Sequence, residues 1–204
     1  MGTVKDGKLL YHLTKLSNLE SIIDYGLSSR AILEKYKEDF GDIADPEIID
    51  KREAMGLKKY VPFHFHPHTS FDVAVINRYN KEEFVYLCLT RKYAQSNGFC
   101  ILPRHPLSGE DAQLYSYDDG WEMIDWDVME LKSNEFGYDR NVRMAECLTE
   151  EPVFINEFIS IAVRNEEIEN RVKGLLRKKG VPTPPHVNIQ KWLNRAESFG
   201  GLEW

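Results

Sequence analysis

A chain of 204 residues is long enough for one domain with a sizeable core and short for two, so a single domain over 1–204 is expected. Its 42% hydrophobic and 29% charged residues are ordinary for a globular protein, and a net charge of −7 argues against a broad polyanion-binding surface while allowing a local basic groove. No apolar run approaches the length of a membrane span and Met1 to Asp6 does not read as a signal peptide, which makes a cytoplasmic protein with no membrane partner the expectation.

In chain order, Lys8 to Thr14 reads as a short strand. Ser17 and Glu20 have the spacing of a capping box, and Leu19, Ile22, Ile23 and Leu27 follow at helical spacing with Gly26 as a stop. Residues 29 to 59 are charged and weakly periodic. A short helix starting at Pro46, capped by Asp45, is expected there inside a long functional loop. Tyr60 to Pro67 alternates like a strand, and Phe84 to Leu89 is apolar enough for a central buried one. From Gly98 to Tyr115 short strand-like pieces alternate with turns, and a polar stretch from 130 to 141 reads as a second functional loop. Arg143 to Leu148 and Phe158 to Val163 read as strands, followed by a helix over about 166 to 179, Gly180 as its cap, and a last strand from His186 to Ile189.

Three places carry chemistry. His12 and Thr14, two apart in a strand, share a face and can address one ligand, unless His12 simply satisfies a neighbouring backbone group. Glu146 sits among apolar neighbours, where an ionised carboxylate needs a partner. It is either half of a structural ion pair with Arg143 or Arg52, or a general base or stabiliser of positive charge. His64, His66 and His68 place three imidazoles along one side of an extended segment. Residues two apart diverge by nearly ~7 Å, so a polar wall to a groove is the better reading than a metal site. Cys88, Cys100 and Cys147 are odd in number and widely spaced, as buried hydrophobes rather than zinc ligands or disulfides. Neither a phosphate-binding glycine loop nor a nucleophile elbow is present.

Taken in order, these pieces resemble the DarT family of single-stranded DNA ADP-ribosyltransferase toxins. Tyr11-His12-Leu13-Thr14 with Asn18-Leu19 resembles the family's Y-H-[IL]-T-x-x-x-N-L. Ile48 to Arg52 resembles I-x-[ED]-[RK]-R, Tyr60 to Phe65 resembles Y-V-P-F-x-F, Asp125-Trp126 resembles a D-W pair, and Ala145-Glu146-Cys147-Leu148 resembles A-E-x-L. The resemblance implies an α+β, ADP-ribosyltransferase-like fold of two packed, mostly antiparallel sheets flanked by helices, with NAD⁺ in the cleft and no metal. It implies that His12, Thr14, Asn18, Leu19 and Phe71 (or Phe63) contact NAD⁺. Arg52 would lie near its phosphates and help organise the site, and Glu146 would be the catalytic glutamate. Lys132, Tyr138, Arg140 and Arg143 would meet single-stranded DNA. Nicotinamide would leave, and a cognate antitoxin would reverse the mark. The segment from Pro103 to Asp111 departs from the thymine-modifying pattern, and the histidine-rich strand and Met144 to Leu148 lean the expectation slightly toward guanine. The alternatives are transfer to RNA or protein, and a catalytically silent module that binds NAD⁺ or nucleic acid.

Overall fold

The computed structural model of the chain describes residues 2–36, 46–108, 113–131 and 138–193. Its strands are β1 (Leu9–Lys15), β2 (Val61–His64), β3 (Phe84–Thr90), β4 (Cys100–Leu102), β5 (Tyr115–Ser116), β6 (Glu146–Thr149), β7 (Ser160–Val163) and β8 (His186–Ile189). Its helices are α1 (Leu19–Tyr25), α2 (Arg30–Tyr36), α3 (Pro46–Ala54), α4 (Ser70–Arg78), α5 (Arg91–Ser96), α6 (Tyr117–Met123), α7 (Trp126–Met129), α8 (Tyr138–Arg143) and α9 (Glu166–Lys178). None of the described helices is long and apolar enough to cross a membrane.

The α+β class and mostly antiparallel pairing are as expected, but the strands form one hydrogen-bonded sheet, ordered β5-β4-β6-β2-β1-β3-β7-β8, instead of two. Among the described residues only β7 and β8 run parallel. The sheet nevertheless has two halves. Among the described residues, β1 and β2 pair at Tyr11 and His64 alone, whereas β1 and β3 pair over their whole length. Pro62 has no N–H to give to β1. Its carbonyl accepts instead from His12 Nδ1 at 2.8 Å, so a side chain stands where a ladder bond would be.

The core lies on both faces. Leu10, Phe63, Val85, Leu87, Leu89 and Ile161 pack on one, under α1 and α9, whose Ile168, Val172 and Leu176 are buried. Leu13, Phe84, Tyr86, Cys88 and Ala162 pack on the other, with Val75 of α4. Cys88 and Cys147 are buried free thiols, and burial pushes Cys88 up to about 11, so both behave as the small hydrophobes expected. Buried Arg91 ties the amino-terminal segment down. It donates to the carbonyls of Leu9, Lys5 and Phe65 at 3.1, 3.0 and 2.9 Å, and its guanidinium lies against the rings of Phe65, Trp121 and Trp126.

Several local expectations are corrected. A 3₁₀ turn over Leu16–Asn18 replaces the Ser17 capping box, and Asn18 precedes α1 without a side-chain cap. The amide of Asn18 is drawn away to Thr14 Oγ1 at 3.2 Å, which ties the turn to β1. Gly26 does end α1, at φ 84° with its N–H on Ile22 O. The region from 29 to 59 is more helical than expected, holding α2 as well as α3; Asp45 lies outside the described residues. Short α6 and α7 lie between the stretches read as turns and as loop, and α8 overlaps the end of the loop. Helices of four to seven residues show too little periodicity to be seen in sequence. Arg143 ends α8, so β6 begins only at Glu146.

Helix α6 lies directly on β4. A Cβ on Gly120 would sit 2.5 Å from Ile101 Cβ and 3.2 Å from Tyr115 Cβ. Gly120→Ala is therefore expected to lower stability by about 1–3 kcal/mol, despite alanine's better helix propensity. A denaturation midpoint that stays level or rises would contradict this close approach.

Candidate active site

Where the two halves of the sheet meet, a cavity of about 240 Å³ opens, lined by residues from β1, β2, β6 and helices α1 to α4. Register builds its floor. Tyr11, His64, Glu146 and Leu102 are successive partners across β1, β2, β6 and β4, and of this row His64 and Glu146 line the cavity. Glu146 is 5% exposed. Arg52, from α3, donates through one nitrogen, Nη1, to both carboxylate oxygens, at 2.7 and 2.5 Å. Burial pushes the carboxyl up, but Arg52, with His64 and His105 adding to it, holds it below the usual carboxylate range. Arg52 lines the cavity, and its Nη2 is buried with no hydrogen-bond partner among the described residues.

His12 faces Glu146's half from across the junction. Burial lowers its imidazole to about 4, so it is neutral near pH 7. With Pro62 O as its partner, Nδ1 carries the hydrogen and Nε2 is an acceptor. Thr14, bonded to Asn18, lines the same wall. Phe71, in the first turn of α4, also lines it, as does the buried carboxylate of Asp72. Phe63 does not. It is fully buried and packs against His12, Phe99 and Phe158, a core residue that backs the site. Leu19 is also fully buried and outside the cavity wall, so it seats α1 in the core instead of touching a ligand.

The histidine strand is not a row of three. β2 ends at His64, which meets Ala145 O at 3.2 Å. His66 engages Pro67 O and Arg143 O through its two nitrogens, at 2.9 and 3.0 Å. His68 has turned into the left-handed region at φ 59°. Only His64 reaches the cavity. Among the described residues no group of three or more His, Cys, Asp or Glu is placed to hold a metal ion.

Of the residues expected to meet DNA, Lys132 and the side chain of Tyr138 lie outside those described. Arg140 and Arg143 stand on α8, which leads into β6, and neither lines the cavity. Sequence reasoning missed His105, Asp72, Ser29 and Arg30, all on the cavity wall. His105 N–H donates to Asn141 O at 2.9 Å, which ties the wall to α8. No local signal marks His105; the Thr69-x-x-Asp72 capping box was readable, but its position was not.

Burial also lowers His105 to about 4. Below pH 6.5 the unfolded chain protonates both histidines while the folded chain does not, so stability falls as pH drops from 6.5 towards 4. Each histidine contributes on the order of 3 kcal/mol to that loss. Glu146, held low, adds to the loss only at still more acid pH. Urea melts at pH 7 and pH 5 check this, and His12→Gln should flatten the dependence; equal midpoints would show that these rings are not neutral in the fold.

A family model described as DarT, ssDNA thymidine ADP-ribosyltransferase, matches residues 11–193. No curated protein matches the sequence. The fold is similar to Thermus sp. 2.9 DarT in complex with ADP-ribosylated ssDNA, with a TM-score of 0.78 and 20% identity over 93% of this chain and 97% of that one. The same protein in complex with NAD⁺ gives a TM-score of 0.72 and 18% identity, over 91% and 96%. Thermosipho africanus DarTG in complex with ADP-ribose gives 0.69 and 16%, over 89% of this chain and 50% of that one. With 183 consecutive residues matched and the Arg52–Glu146 pair at its cavity, the chain belongs to the DarT family of NAD-dependent single-stranded DNA ADP-ribosyltransferases.

Proposed function

We propose that the protein transfers ADP-ribose from NAD⁺ to thymine in single-stranded DNA, releasing nicotinamide. The observation that carries the reading is the ionised Glu146, clamped by Arg52 at the floor of a cavity whose opposite wall presents His12 and Thr14. Breaking the nicotinamide–ribose bond places positive charge on the ribose, as in glycoside hydrolysis. A fixed carboxylate beside that carbon stabilises the charge without reorganising. Because Arg52 holds Glu146 low, its contribution is more electrostatic than basic.

In this reading the acceptor Nε2 of His12 takes a hydrogen bond from the nicotinamide riboside, and Phe71 packs on the nicotinamide ring. Arg52 is largely engaged by Glu146, with Nη2 left for a ligand oxygen. The diphosphate falls to the outer wall, where Arg30 and Lys58 supply positive charge. Arg140 and Arg143 on α8 lie beside the entrance to β6 and are suited to the DNA backbone. The mark calls for a cognate antitoxin that removes it.

Thymine is preferred for two reasons. The matching family model is the thymidine-modifying one. The lean toward guanine rested on the departure at Pro103 to Asp111, on Met144 to Leu148 and on the histidine strand, and of that strand His64 and His66 engage backbone carbonyls. Labelled NAD⁺ and single strands carrying one base type at a time test the choice. Label on thymine strands is expected; label confined to guanine strands would reverse it. Labelling of RNA or protein alone would overturn the DNA reading.

A further inference from the structure

Phe71 and Asp72 line the cavity from the first turn of α4. What holds that turn lies behind, in the chain after β8. Leu193 N–H returns to Gln190 O at 3.0 Å in a 3₁₀ turn, which buries Leu193 and turns Trp192 against the second core cluster. The indole meets His68 edge-on at 5.2 Å, Tyr86 at 5.3 Å and Tyr11 at 6.4 Å.

His68 is the joint. Its φ of 59° is a left-handed conformation that a residue with a side chain adopts only when its surroundings fix it. Its N–H donates to Tyr86 Oη at 3.2 Å, and its ring is packed by Tyr86 and Trp192. The next residue, Thr69, caps α4 through a reciprocal box, with Thr69 N–H on Asp72 Oδ2 at 2.9 Å and Asp72 N–H on Thr69 Oγ1 at 3.2 Å. Burial first, and then the nearby Asp72 carboxylate, pushes the Tyr86 hydroxyl well above its ordinary range. Trp192 therefore touches both residues that fix the start of α4.

From this chain of contacts we infer that Trp192 is a positioning residue for the NAD⁺ site, clamping the left-handed turn at His68 and thereby aiming Phe71 and Asp72 into the cavity. The inference rests on the cavity being the NAD⁺ site, and one arm of its test does not.

The full chain is compared with Trp192→Ala, Trp192→Leu, Trp192→Phe and Leu193→Ala. Amide hydrogen exchange at Asp72 and Val73 reads the clamp without any ligand. Trp192→Ala is expected to speed it about tenfold, Trp192→Leu by less, and Trp192→Phe to hold it within about twofold. Steady-state kinetics read the consequence. Trp192→Ala is expected to raise KM for NAD⁺ about tenfold with kcat changed less than about twofold, and Trp192→Phe to restore KM. Leu193→Ala is expected to lower the melting temperature without the local exchange or KM change. Unchanged exchange in Trp192→Ala, or an equal change in Leu193→Ala, would overturn the clamp. Faster exchange with an unaltered KM would sever it from the site. A wild-type chain that shows no NAD⁺ binding fails the functional reading instead, and the exchange arm still decides the clamp.

Discussion

Glu146→Gln is expected to reduce ADP-ribosyl transfer by about 10²–10³-fold, the usual loss when one fixed electrostatic stabiliser is removed. Glutamine keeps the size and one acceptor, so NAD⁺ binding should change little. The loss should therefore fall on kcat and kcat/KM together, the signature of an interaction made in the transition state. Alanine is the poorer probe. It would leave the Arg52 guanidinium, whose side chain is 14% exposed, beside a new void, and the variant would report stability along with chemistry. Kinetics on folded Glu146→Gln, with melting measured in parallel, separates the two. Full activity in that variant would reduce the pair to a structural one.

Arg52→Met is expected to cost about 3–5 kcal/mol of stability at pH 7, because it strands a buried carboxylate without its partner. The sign of its pH dependence is diagnostic. In the wild type Glu146 is held low, and its stabilising contribution is lost only as pH falls through the acid range. Without Arg52, burial alone would raise the carboxyl above its unfolded value, so its penalty would grow as pH rises and shrink as pH falls. The deficit of Arg52→Met relative to wild type should therefore narrow between pH 7 and pH 5. Adding Glu146→Gln should recover part of it, since the amide needs no counter-charge. Urea denaturation of the two single variants and the double variant checks both points. A pH-independent deficit would mean that Arg52 acts through packing alone.

The parts of this site that were legible in sequence are those whose chemistry is unusual for their setting. A carboxylate at 146 between apolar residues demanded a partner, and Arg52, 94 residues earlier, is that partner. His12 and Thr14 were readable because strand alternation puts them on one face. Hidden were the features set by long-range geometry. Phe63 and Phe71 were equivalent as sequence, and only the burial of the first beneath His12 sends the second to the cavity. Leu19 travelled with a motif whose neighbours line the cavity, while its own side chain is buried in the core. His105 and Trp192 stand next to nothing that announces them; one is brought to Glu146 by β4 and the other to His68 by the turn after β8. Two packed sheets were expected; that the strands join into one sheet, with Tyr11 and His64 the one pair between β1 and β2 among the described residues, was not legible, since pairing between strands fifty residues apart leaves no local mark.

The most direct measurement incubates the chain with NAD⁺ and a mixed-sequence oligonucleotide, as a single strand and as a duplex, and localises any added mass by fragmentation. ADP-ribosyl transfer at this cavity requires one ADP-ribose on a base of the single strand, released nicotinamide in equal amount, and about 10²–10³-fold less of both with Glu146→Gln. Hydrolysis of NAD⁺ without modified DNA, or equal modification by Glu146→Gln, would contradict it.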